Sequence, residues 1–506
     1  MSQKRKELIM LVAAIDAGNG RFKMAVLDSA GNPTLVMTRS GMPYFPSVVY
    51  FNKDRSKIFG FEAENAALAD PKRAVIGWKR KMGTDEILYT EKDGTVYKAP
   101  DILALFLEEC LKEIESKTGN VANDVVILTP ANYNEKQTQQ TIDAGVKVGL
   151  NVILTPHEPT CAALGNDIHK MGDCIALIFD VGSGTFDVSL VQSRGNLFEV
   201  LATDGIVQLG SSDFNKRAKE EILAEFEKKF RYCPTFDKHP IFHQQLSQQI
   251  EQVKISLSVQ KECPLVISCE SDLLKTIVTR DKFESWIEPL VDRTIEKTEQ
   301  TLEQAKMKWS EVQAIFAVGG GTMTPLVRQK LEQVSGKKIS GKCEPYSAAA
   351  LGGVIAARLE YDRLGKDCFV NGEKLPPPSF YMREILSRAI GVSVLDDNNE
   401  EKCCVLLKKN IPIPSIQTRK FKMAEPNQTS VRINILDGEN GVDIKKCLQL
   451  GYFELIDLPA RPDLVGRIEI TFDLNANGML TASARDTVSG KTAELKITYK
   501  NKVETA

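Results

Sequence analysis

Histidine is scarce in this 506-residue chain: there are four, and none stands in a catalytic or metal-binding motif. A histidine-dependent serine or cysteine hydrolase therefore finds no support. No C-x-x-C spacing occurs among the eleven cysteines, which removes zinc ribbons and thioredoxin-type redox pairs. The cysteines are odd in number and lie among apolar residues, with Cys403 and Cys404 adjacent. They read as buried, reduced thiols of a cytoplasmic protein. Net charge is nearly absent as well, with 65 basic against 67 acidic residues. No overall field would draw nucleic acid or an anionic membrane to the surface. No apolar run is long enough to cross a bilayer. Lys4, Arg5 and Lys6 ahead of residues 8–15 imitate a secretory leader. That run is short, stops at Asp16, and leads directly into a motif that needs it as a strand.

The hydrophobic fraction of 42% and charged fraction of 26% are those of a globular protein, and the length implies two to four domains. The most informative feature is an internal repeat. Ile15-Asp16-Ala17-Gly18-Asn19-Gly20-Arg21-Phe22 aligns with Phe179-Asp180-Val181-Gly182-Ser183-Gly184-Thr185-Phe186. Both read apolar-Asp-x-Gly-x-Gly-x-Phe, and the match runs on without a slip to Gly31-Asn32 against Gly195-Asn196. Each copy has the pattern of a strand, glycine turn and strand. Two copies imply two related subdomains.

Around them, helical and strand patterns alternate, as in α/β proteins. Helices are expected at 101–116, 135–148, 158–164, 216–229, 247–259, 282–307 and 325–334, and strands at 125–128, 152–154 and 314–318. Near residue 375 the character changes. Pro376-Pro377-Pro378 reads as a stiff linker. Short alternating runs follow, at 403–407, 430–436, 467–472, 479–484 and 494–499, separated by turn signals such as Asp437-Gly438 and Asn477-Gly478. The expected domains are 1–375, a linker at 376–386, and an all-β domain at 387–506.

Two Asp-x-Gly-x-Gly hairpins suit the binding of phosphate. Glycines let backbone N–H groups approach the oxygens. Gly18, Asn19, Gly20, Gly182, Ser183, Gly184 and Thr185 are the candidates. Asp16 and Asp180, at the strand ends, are placed to hold Mg²⁺ through water, because that ion keeps most of its hydration shell. Gly319-Gly320-Gly321, between a strand and a helix, suits close approach to a nucleoside.

These residues resemble the heat-shock 70 (DnaK-like) chaperones of the actin/sugar-kinase/heat-shock ATPase superfamily. Asp180-Val181-Gly182-Ser183-Gly184-Thr185-Phe186-Asp187 is similar to that family's second phosphate motif. His157-Glu158-Pro159-Thr160-Cys161-Ala162-Ala163-Leu164, Trp78-Lys79-Arg80-Lys81-Met82-Gly83 and Val253-Lys254-Ile255-Ser256-Leu257-Ser258 resemble further family segments. Asn410-Ile411-Pro412-Ile413-Pro414 and residues 472–478 resemble its peptide-binding β-sandwich, a domain that actin and sugar kinases lack.

The resemblance implies a duplicated, two-lobed α/β actin-like ATPase domain followed by an all-β sandwich. It implies ATP/ADP with Mg²⁺, unfolded polypeptide as partner, and a J-domain co-chaperone and nucleotide-exchange factor as accessories. Lys79 would hold the attacking water, while Glu158, Thr185 and Asp187 would place metal or water. Glu251, Lys254, Ser258, Gly319, Gly320 and Gly321 would surround adenosine. Leu395, Phe421, Ala424 and Val431 align with the family's peptide groove, although each also suits the sandwich core. The family's helical lid is not expected, since little follows residue 499.

There are departures from the family pattern. The first turn has Asn19-Gly20-Arg21 in place of Thr-Thr-Asn, and Arg21 is expected to face solvent rather than phosphate. Met323 replaces a base-stacking arginine, Tyr346 an aspartate, and Thr138 an arginine important for domain coupling. Phe380-Tyr381-Met382-Arg383-Glu384 replaces the usual apolar linker. Asn19, Gly20, Met323 and Tyr346 motivate an alternative reading as a nucleotide-binding scaffold with little turnover; a small-molecule kinase of the same superfamily is a third reading, which the β domain opposes.

Overall fold

Each glycine hairpin found in the sequence is the centre of its own sheet. The computed structural model describes residues 11–341, 344–370, 373–463, 466–475 and 478–496. Lys4, Arg5, Lys6, Asn477 and the end of the last expected strand lie outside them. The chain divides into two compact units. The first runs to Met382, except for Asn132–Gln139 and Glu199–Thr203, which count with the second. The second begins at Arg383. Residues 375–380 have no regular structure, but Tyr381–Ile385, expected as linker, forms a strand straddling the division.

In the first unit, Leu11–Ala17 (β1) pairs antiparallel with Arg21–Leu27 (β2) and parallel with Ala122–Ile127 (β3). The second copy repeats this arrangement. Cys174–Val181 (β4) pairs antiparallel with Phe186–Arg194 (β5) and parallel with Ala314–Val318 (β6). The central strands are buried almost throughout, which explains their continuous apolar runs. Duplication is thus visible in the topology as well as in the motif.

Three helices matter to the site: Glu158–Gly165 (α1), Pro240–Val259 (α2) and Ala348–Arg363 (α3). α1 and α3 cross with almost no space between their backbones. A Cβ on Gly352 would lie 1.7 Å from the Cys161 carbonyl oxygen, and one on Gly165 would lie 2.0 Å from that of Ala348. The two glycines are what allow the helices to meet. α3 is buried around much of its circumference, so its sequence lacks a clear polar face.

The second unit is a sandwich of two four-stranded antiparallel sheets. One has Ile390–Leu395 (β7), Glu401–Leu407 (β8), Val431–Asp437 (β10) and Leu448–Leu455 (β11), in the order β8-β7-β10-β11. The other has Ser415–Phe421 (β9), Ile468–Leu474 (β12), Leu480–Asp486 (β13) and Thr492–Lys496 (β14), in the order β9-β12-β13-β14. Alternate residues such as Ile433, Ile435, Ile470 and Phe472 fill the space between the sheets. Most strands match the expected runs to within a few residues. The hairpin of Glu262–Cys269 with Asp272–Thr279, and α3 itself, are elements beyond those expected from the sequence.

Among the cysteines, Cys110, Cys161, Cys174, Cys269, Cys403 and Cys404 are buried and outside any disulfide, as expected, whereas Cys233 is exposed. Among the described residues no helix is long and apolar enough to cross a membrane.

Candidate functional site

The two glycine turns of the first unit face one another closely. A Cβ on Gly20 would lie 2.9 Å from the Ser183 side chain, and one on Gly184 would lie 2.9 Å from that of Asn19. Asn19 and Ser183 also come within 3.5 Å, and Ser183 shares a hydrogen bond of 2.7 Å with Ser212. The hairpins therefore bring their aspartates to one cleft.

Asp16 is the penultimate residue of β1, and Lys23 is its register partner on β2. The Lys23 ammonium donates to Asp16 Oδ2 at 2.5 Å. Asp180 is the penultimate residue of β4, and its register partner on β5 is a second acid, Asp187. Burial, reinforced by Glu158, Asp187 and Asp16, pushes the Asp180 carboxyl well above the usual range. Burial and Glu158 likewise push Asp187 up to about 7, against a hydrogen bond from Thr185 and the charge of Lys79.

Lys79 lies in the short turn Trp78–Lys81. Trp78 anchors that turn: its ring is buried against Phe22 and Phe106, and its indole N–H donates to Ser47 Oγ at 3.0 Å. Lys79 Nζ then reaches Glu158 Oε1 at 2.7 Å. Glu158 is the first residue of α1, and its backbone N–H donates to the Thr129 carbonyl at 2.8 Å. Burial raises the Glu158 pKa despite Lys79. Arg80, beside Lys79, donates to the Gly184 carbonyl at 2.7 and 3.0 Å and pairs with Asp213. It thereby ties the Lys79 turn to the second hairpin.

The cleft is suited to a hydrated cation. Asp180 Oδ1 and Asn19 Oδ1 are both buried acceptors with no hydrogen-bond partner among the described residues. Among those residues no three acidic, histidine or cysteine side chains converge closely enough to chelate an ion directly.

Beside Asp180, Gly319 has a φ of +79°, and a Cβ there would meet the Val181 carbonyl oxygen and Asp180 Oδ1, each at 2.4 Å. Its N–H donates to the Pro345 carbonyl at 2.8 Å. Gly321 packs on Val181, whereas a Cβ on Gly320 would meet nothing within 4 Å. The glycine run thus has an open side at Gly320. On α2, Lys254 pairs with Glu251 at 2.7 Å, and burial lowers its pKa against that pairing. The Ser258 hydroxyl donates to the Ile255 carbonyl of the same helix at 2.6 Å. Met323 is 48% exposed. Tyr346 is half-buried, with its ring edge-on to Tyr44 at 6.3 Å.

Arg21 corrects the sequence expectation. Rather than pointing to solvent, its guanidinium lies 4.2 Å from the centre of the Tyr44 ring and is half-buried. Lys23 and Arg80 were passed over as site residues. Lys23 was legible in principle, because the repeat aligns it with Asp187.

In the β-sandwich, Phe421 and Val431 are half-buried against the core, while Leu395 and Ala424 are exposed.

The family model for the Hsp70 protein matches residues 12–506, through both units. This chain belongs to the Hsp70 family. The family's architecture is an actin-like two-lobed ATPase domain with a β-sandwich, and its members are ATPases. The chain is similar to the chaperone protein DnaK of Nitrosopumilus maritimus, with 32% identity over 97% of this chain and 76% of that protein. It is 31% identical to the DnaK of Cenarchaeum symbiosum, over 97% of this chain and 73% of the relative. It is also 31% identical to that of Methanothermobacter thermautotrophicus, over 99% and 82%.

Proposed function

We propose that this chain is an ATP-dependent Hsp70-type chaperone that hydrolyses ATP in the cleft between its glycine hairpins and binds extended polypeptide on its β-sandwich. The observation that carries this reading is the Lys79–Glu158 pair at 2.7 Å, in a cleft whose Asp180 carboxylate has an unmet buried acceptor. Gly18, Gly20, Gly182 and Gly184 present backbone to the phosphates, with Asn19, Ser183 and Thr185 as polar neighbours. Gly319, Gly320 and Gly321 admit the nucleoside on their open side, and Glu251, Lys254 and Ser258 line α2.

Lys79 orients the attacking water and places positive charge where negative charge develops at the γ-phosphate. Glu158 holds Lys79 in that position. Asp187, whose pKa is pushed up to about 7, is suited to take a proton from the water. Asp180 offers its carboxylate to a hydrated Mg²⁺, which when bound supplies charge neutralisation to the phosphates. In the sandwich, Leu395, Phe421, Ala424 and Val431 supply apolar contacts to an extended peptide whose backbone pairs with the sheet edge. A J-domain co-chaperone and a nucleotide-exchange factor enter the proposal as the family's accessories.

Single-turnover hydrolysis of bound ATP is the test. Lys79→Ala should keep nucleotide affinity within a few-fold and slow hydrolysis on the order of 100-fold or more, the scale of losing one preorganised charge. Unchanged turnover in the variant would remove Lys79 from the mechanism. A wild-type chain that binds ATP without turning it over would favour a nucleotide-binding scaffold.

A further inference from the structure

At one pair of equivalent positions, Lys23 and Asp187, the difference between the duplicated hairpins is a reversal of charge. In the second, register places Asp187 opposite Asp180, so two carboxylates share one end of the hairpin. In the first, register places Lys23 opposite Asp16, and the two are in contact. Lys23 is no solvated surface lysine: its side chain is 13% exposed, and that of Asp16 is 6% exposed. Its charge also reaches Asp180 and Glu158. The cleft therefore holds Asp16 compensated by Lys23 and Glu158 compensated by Lys79, and a cation from outside is required only on the Asp180 side.

We propose that Lys23 is a built-in cation of the phosphate site, which compensates Asp16 and faces the polyphosphate at the first hairpin, so that the divalent ion is needed at the second hairpin alone. The inference rests on the reading of the cleft as a nucleotide site. A fixed ammonium, unlike a bound ion, cannot be removed by a chelator. Nucleotide binding should accordingly survive chelation better than in a site where both hairpins depend on the ion. One charge-assisted hydrogen bond changes affinity on the order of tenfold to a hundredfold, and that is the size of effect expected from Lys23.

The test is the affinity for a fluorescent ADP analogue, measured in excess Mg²⁺ and in EDTA, on the full chain. For the wild type the two affinities should differ by no more than about tenfold. Lys23→Met should weaken binding in EDTA on the order of tenfold or more, and Mg²⁺ should restore most of the loss, because the released Asp16 carboxylate then accepts the ion. Lys23→Arg keeps the charge and should keep the wild-type ratio of affinities. Asp16→Asn should bind at least as tightly as wild type in EDTA, since it frees the ammonium for phosphate. If Lys23→Met fails to fold, judged by circular dichroism, the Arg and Asn variants still decide the matter. A ratio in Lys23→Met equal to the wild-type ratio would overturn the role of Lys23 while leaving the nucleotide reading intact. So would an Asp16→Asn variant that binds more weakly in EDTA than wild type. A wild-type chain that binds the analogue in neither buffer would overturn the nucleotide reading, and the inference with it.

Discussion

Arg467 and Asp486 are the most deeply buried ion pair described in the sandwich, with side-chain exposures of 2% and 0%. Arg467 donates to both carboxylate oxygens, at 2.8 and 3.1 Å, and also to the Pro459 carbonyl at 3.0 Å. The Ser489 hydroxyl and the N–H groups of Ser489 and Val488 donate to the same carboxylate. Burial alone would raise the Asp486 pKa, but these donors outweigh it and bring the value down to about 2. An unfolded aspartate titrates near 4. Because the folded value is the lower one, the contribution is present above pH about 4 and disappears as the pH falls towards 2. It amounts to about 2–3 kcal/mol at neutral pH. Arg467→Leu leaves the carboxylate buried without its main partner and should destabilise the fold by about 3–5 kcal/mol. Urea unfolding followed across pH 2–7 checks both statements. A variant as stable as wild type at neutral pH would refute them.

At the scale of elements, the contact between α1 and α3 sets the geometry of the cleft. Glu158 begins α1, and α3 packs on α1 through Gly352. Adding one methyl group there drives it into the Cys161 carbonyl, which is backbone and cannot turn aside as a side chain can. Gly352→Ala should cost about 3 kcal/mol or more. In a unit of this size that corresponds to a fall in melting temperature of roughly 4 °C or more. Hydrolysis of bound ATP should slow as well, because α1 can no longer hold Glu158 against Lys79. Scanning fluorimetry measures the first effect and a single-turnover assay the second. An unchanged melting temperature would show that the helices separate at little cost.

At the scale of the whole molecule, the proposal assigns nucleotide to the first unit and peptide to the second. Val431 tests the second assignment without touching the first. It starts β10 and is half-buried against the sandwich core. Val431→Phe adds a ring where an apolar peptide side chain would enter. It should abolish binding of an extended apolar peptide, measured by fluorescence anisotropy, and leave ADP affinity within about twofold, as expected for independent sites. Peptide binding equal to wild type would remove Val431 from the groove.

How much was legible in the sequence depended on whether a signal was local or periodic. The glycine turns, the strands leading into them, the duplicated hairpin and the run of short strands after residue 386 all carry local or short-period signals, and each appears where expected. α3 escaped because a helix buried on nearly every side has no polar face to mark its period. The strand Tyr381–Ile385 carries no marked signal of its own, because it follows a proline stretch and has Arg383 and Glu384 within its five residues. The surroundings of Arg21 and Lys23 depended on partners that the chain brings together only on folding. Arg21 meets Tyr44 where β2 pairs with the short strand Phe45–Pro46, and only the strand register opposes Lys23 to Asp16. The sequence by itself determined the elements, the repeat and the identity of the acids and lysines in the cleft, because turn chemistry and strand period are properties of neighbouring residues. Only the tertiary structure decided which acid each lysine compensates, and left Asp180 with an unmet acceptor. Charge pairing is settled by distance in space, and burial then fixes how much each pairing matters.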